Sequence, residues 1–95
     1  MSTTLGLLHL RLHVVEATSL KDKRRVIKSF KDRVAHGFNV SIAEVDALDN
    51  HRLAVLAVAM VGNDHGYVDG ALQKIIQAAA GHRDMILIDH ELEWL

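Results

Sequence analysis

Apolar and polar positions alternate over residues 7–15, with Leu8, Leu10, Leu12 and Val14 on one side and His9, Arg11 and His13 on the other. A period of two predicts a half-buried strand. Ala17-Thr18-Ser19 reads as a turn, with Ser19 as N-cap and Asp22 in the capping-box position three residues on. Leu20, Ile27, Phe30 and Val34 then recur at helical spacing, which predicts a helix ending near His36-Gly37 with the glycine in the left-handed conformation. Residues 39–46 are rich in β-branched side chains and predict a second strand. Turn chemistry at Asp49-Asn50-His51 leads into residues 52–61, apolar at both parities, as a third strand that is central or covered on both sides. Asn63 or Asp64 caps a second helix carrying Val68, Leu72, Ile75, Ile76 and Ala79, which Gly81 ends. Residues 85–94 alternate again, with Ile86, Ile88, Leu92 and Trp94 opposed to Asp89, Glu91 and Glu93. His90 shares the parity of Ile88 and Leu92, so it is expected at the margin of the core.

The order is βαββαβ. Two right-handed βαβ crossovers on one sheet give an α+β, ferredoxin-like plait: a four-stranded antiparallel sheet of order 4-1-3-2 with both helices on one face. The expected core is Leu8, Leu10, Leu12, Ile27, Phe30, Val34, Leu72, Ile75, Ile76, Ile86 and Ile88. The third strand sets Leu53, Val55 and Val61 at one parity against Leu56, Val58 and Met60 at the other, so one of these apolar sets falls on the uncovered face. A monomer rarely keeps such a patch exposed, so a homodimer is expected.

Ninety-five residues, 49% apolar and 24% charged, describe one globular domain spanning 1–95. The absence of cysteine excludes a disulfide framework, a thiolate metal site and a cysteine nucleophile. No apolar run is long enough for a membrane span, and the start of the chain lacks the pattern of a secretory signal, so a cytoplasmic protein is expected. The net charge is −1, but it is unevenly distributed. Residues 21–33 hold seven bases against two acids, leaving four bases and ten acids elsewhere. A basic island on an acidic body implies one localised anionic partner.

Ser19-Leu20-Lys21-Asp22-Lys23-Arg24, Phe38 to Asp46 (FNVSIAEVD) and Gly62-Asn63-Asp64 stand in an order that resembles the YlxP-like family of small bacterial proteins. The resemblance spans nearly the whole chain. It implies a ferredoxin-like fold and a gene setting among transcription elongation, translation initiation and ribosome maturation, hence an RNA- or ribosome-related role. Family members often carry a tryptophan in the hairpin after Asp46, where this chain has Leu48-Asp49-Asn50-His51-Arg52.

The basic island is the strongest candidate for chemistry. On a helical wheel with Ile27 at zero, Lys31, Arg24, Lys28, Lys21 and Arg25 spread over about 40° to 160° on one flank. Such a flank can follow a phosphate backbone. The expected nucleic-acid contacts are Lys21, Lys23, Arg24, Arg25 and Lys28 on structured RNA or the ribosome, with Lys23 close to the apolar stripe. The alternative is a solvated face that pairs with the acidic remainder. The open sheet face lacks the aromatics that stack bases in RNA-recognition domains. Arg11, His9 and His13 can instead pair across strands with Asp89, Glu91 and Glu93. Glu44, Asp46, Asp49 and His51 form a loose acidic cluster, and seven scattered histidines show no ligating pair, so no metal or other cofactor is expected. No phosphate-loop, dinucleotide or nucleophile-elbow motif occurs, so no catalytic residue and no enzyme activity is expected. The competing function is a homo-oligomeric protein-interaction module with no nucleic-acid role.

Overall fold

The computed structural model describes residues 2–95. Its elements are β1 (Thr4–Val14), α1 (Leu20–Gly37), β2 (Ser41–Asp46), β3 (Leu53–Gly62), α2 (His65–Ala80) and β4 (Met85–Trp94). The strands form one antiparallel sheet in the order β2-β3-β1-β4, the ferredoxin-like plait. β1 runs through the middle, with Leu8 opposite Val58 on β3 and Leu92 on β4. No helix among the described residues is long and apolar enough to cross a membrane.

One core lies between the sheet and the two helices. β1 contributes Leu8, Leu10, Leu12 and Val14, and β3 contributes Ala54, Leu56, Val58 and Met60. α1 adds Ile27, Phe30 and Val34, while α2 adds Val68, Ala71, Leu72, Ile75, Ile76 and Ala79. Gly6 keeps α2 and the end of β4 close. A Cβ there would lie 2.6 Å from Leu72 Cδ1 and 3.0 Å from Trp94 Cζ3.

β4 departs from simple alternation. Ile86 and Ile88 are not core residues; they are 53% and 45% exposed. The cause is a register shift. Arg11 pairs with Asp89, but Leu12 pairs with Leu87, so Ile88 is left as an extra residue. One extra residue inverts the parity of everything before it. Met85 and Leu87 therefore turn inward instead, opposite Val14 and Leu12. His90 is opposite Leu10 but exposed, so it is not a core-margin histidine. β2 carries a similar shift. Glu44 pairs with Leu56 and Asp46 with Val55, leaving Val45 unpaired.

The end of α1 also differs from expectation. Gly37 lies within the helix, and no glycine has positive φ among the described residues. Phe38 is the cap. Its backbone is extended and its N–H still closes onto Val34 O at 2.9 Å, so the chain leaves the helix without a left-handed residue.

Candidate nucleic-acid interface

α1 begins at Ser19, whose Oγ accepts from Asp22 N at 3.1 Å. Asp22 returns its carboxylate one residue earlier than a capping box would. Its Oδ2 accepts from Thr18 Oγ1 at 2.8 Å and Thr18 N at 3.1 Å. These Thr18 hydrogen bonds, helped by the nearby Arg25 guanidinium, hold the Asp22 carboxyl below the usual aspartate range. The first turn is thereby fixed, and with it the direction in which the following bases project.

Lys21, Arg24, Arg25 and Lys28 are all exposed. Lys28 Nζ donates to Asp32 Oδ2 at 2.6 Å across one helical turn. This bond holds the Asp32 carboxyl below its ordinary value. A pair this exposed is weak, so a phosphate can displace it. Lys21, Arg24 and Arg25 make no ion pair among the described residues. Arg25 also borders an open cleft of about 650 Å³, whose charged lining is two bases, Arg25 and Arg83, and three acids, Glu16, Asp22 and Asp84.

Lys23 does not belong to this flank. It is fully buried, and its ammonium donates to Glu44 Oε2 at 2.8 Å, Ala47 O at 3.0 Å and Leu53 O at 3.0 Å. Those three acceptors use all three of its hydrogens, so it cannot contact phosphate. Its wheel position carried the signal. It lies about 40° from Ile27, inside the apolar stripe. The partner Glu44 faces the helices because its strand position is opposite buried Leu56.

The ammonium fastens the β2–β3 hairpin at both ends. Ala47 sits at φ 59°, the left-handed region, and its carbonyl also accepts from Asn50 N at 3.0 Å. Asn50 Oδ1 accepts from Arg52 N at 2.9 Å and Leu53 N at 3.1 Å. Arg52 Nε donates to Ala17 O at 3.3 Å, tying the hairpin to the turn before α1. The acidic cluster does not assemble. Glu44 is committed to Lys23, and the carboxylate of Asp46 accepts from Ala47 N on the far side of the Val45 bulge.

On the open sheet face, Arg11 Nη1 donates to Asp89 Oδ2 at 2.9 Å, and His9 stands opposite Glu91 without a hydrogen bond. The chain's one tryptophan lies on the other side, with its ring 4.1 Å from that of His65 beside Gly6. Leu5, Leu7, Leu53, Val55, Ala57, Ala59 and Val61 make the remainder of the open face largely apolar. A shallow groove of about 350 Å³ runs there between Leu5, Ser41, Ala59 and Val61.

Comparison with known proteins places these features in a family. The model of a family described as "Protein of unknown function (DUF503)" matches residues 5–92. An uncharacterized protein, YlxP of Bacillus subtilis, is 33% identical over 63 residues, covering 66% of this chain and 68% of YlxP. Among solved structures, the de novo designed protein Foldit4 superimposes with a TM-score of 0.57 at 14% identity, over 99% of this chain and 97% of that one. That likeness concerns the fold alone.

Proposed function

We propose that this chain, which belongs to the DUF503 family of proteins of unknown function, is an accessory factor that binds the phosphate backbone of structured RNA through the exposed flank of α1. One observation carries the reading. Lys21, Arg24, Arg25 and Lys28 project to solvent over little more than two turns, and only Lys28 has a carboxylate partner among the described residues. Phosphate neutralises such a stripe without base contacts, so binding would be largely independent of sequence. The gene setting implied by the resemblance makes ribosomal RNA the first substrate to try.

An electrophoretic mobility series at several salt concentrations tests this. With about three or four phosphates engaged, log K should fall against log salt by about 0.7 to 0.9 per contact. The double change Arg24→Glu with Lys28→Glu alters only exposed positions and should leave folding nearly intact. It should weaken binding about tenfold or more. Wild-type binding by the folded double variant would reduce the stripe to a solvated face.

A separate observation favours a second reading, self-association through the open sheet face. Val61 is 60% exposed there and Leu53 36%, beside the groove at Leu5 and Ala59. The sheet separates this face from α1, so the two readings are compatible.

A further inference from the structure

The geometry points to the β2–β3 hairpin as the second half of the RNA-contact surface, with Arg52 as a phosphate contact and Lys23 as the residue that positions it. This rests on the reading of α1 given above.

Reversing two antiparallel strands needs only two loop residues. Here six residues, 47–52, separate β2 from β3. They are held more firmly than a solvated loop requires. A fully buried ammonium binds the carbonyls of Ala47, the first loop residue, and Leu53, the residue after the last. Burying that charge is costly, and its partner Glu44 lies on the strand that feeds the hairpin. Ala47 is held in a conformation that L-residues avoid. Asn50 ties down the amides of Arg52 and Leu53. Strain in a surface loop, held from behind by a buried charge on α1, indicates that the loop's position matters.

Arg52 is what this framework positions. Its carbonyl accepts from Val14 N at 2.7 Å and its Nε donates to Ala17 O, so the root of the guanidinium is fixed. The residue is exposed, and neither Nη has an acceptor among the described residues. Ala17 lies two residues before the cap Ser19 and four before Lys21. Arg52 Nε is therefore held beside the turn that leads into α1, the helix end that carries Lys21, Arg24 and Arg25. A planar guanidinium with free terminal donors suits a phosphate, which it can bind through two parallel hydrogen bonds.

Fluorescence anisotropy of a labelled RNA stem-loop, titrated over a salt series, tests the assignment. Arg52→Gln should weaken binding and make the salt slope shallower by about 0.7 to 0.9, one phosphate contact. Lys23→Met should produce the same shift, because the hairpin is released. Combining the two should add nothing further. Such non-additivity distinguishes a positioning residue from one that merely stabilises the fold. Asn50→Ala, a change on the loop surface, serves the same purpose if Lys23→Met does not fold. If Arg24→Glu/Lys28→Glu loses binding while Arg52→Gln binds as wild type, the hairpin assignment is overturned and the α1 reading stands. If Arg52→Gln behaves as expected but both Lys23→Met and Asn50→Ala bind as wild type, the positioning role is overturned. An absence of salt-sensitive binding in the wild type overturns the α1 reading and the hairpin with it.

Discussion

Lys23 shows how one residue can mislead when charge is weighed ahead of position. In the sequence it stands in a run of bases, and its place near the apolar stripe is a weak counter-signal. Its actual partners lie 21, 24 and 30 residues away, and no local pattern announces them. Once paired, the ammonium sits in a low-dielectric interior beside a carboxylate only 12% exposed. Lys23→Met should therefore cost about 3–5 kcal/mol, since it leaves Glu44 buried without a counter-charge. Replacing both residues, Lys23→Met with Glu44→Leu, should recover much of that loss, because the desolvated carboxylate is gone as well. Urea denaturation of the two variants checks the order. A double variant no more stable than Lys23→Met would mean that the hairpin carbonyls, rather than Glu44, hold most of the interaction.

At the scale of elements, caps and strands were unequally legible. The Ser19 cap could be read, and the second cap narrowed to Asn63 or Asp64, of which Asp64 serves, because the donors they satisfy lie within three residues. The same locality makes α1 sensitive to acid. Asp22 is held below its ordinary range by Thr18, so the folded state favours the carboxylate. Its stabilising contribution is present above the ordinary aspartate value, about 3.9, and is lost as pH falls through the lowered folded value. Asp22→Ala should thus lower the thermal midpoint at neutral pH, and the gap from wild type should narrow below about pH 4. A gap independent of pH would remove the carboxylate from the account. β4 was less legible for the opposite reason. Its alternation is real, but the bulge at Ile88 is fixed by pairing with β1, more than seventy residues earlier, and this inverted the inward set at Ile86 and Ile88.

For the whole molecule, the topology followed from the order of periodicities, and the apolar character of β3 at both parities already indicated two different surroundings. One parity meets the helices. The other, with Leu53, Val55, Ala57, Ala59 and Val61, meets solvent. Burying such a face is favourable at roughly 25 cal/mol per Å² of apolar surface, before the cost of association. Sedimentation equilibrium should accordingly show a dimer at micromolar concentration, and Val61→Asp should return it to monomer without loss of fold. A wild type that stays monomeric at high micromolar concentration would mean that the Arg11, Glu91 and Glu93 side chains shield the patch adequately by themselves.

The bulges at Val45 and Ile88 also bear on solubility. β2 and β4 are the two outer strands, and each offers a row of unpaired amides and carbonyls along its free side. A flat outer strand can recruit another chain and seed a fibre. An unpaired extra residue bends the strand and breaks the even spacing that a recruited chain would need. On β4, exposed Asp89, Glu91 and Glu93 add like-charge repulsion against a second copy of the same strand. Contact between copies is thus disfavoured at the sheet's rims, where addition has no natural end, whereas a dimer formed through the sheet's face, should sedimentation show one, would close at two.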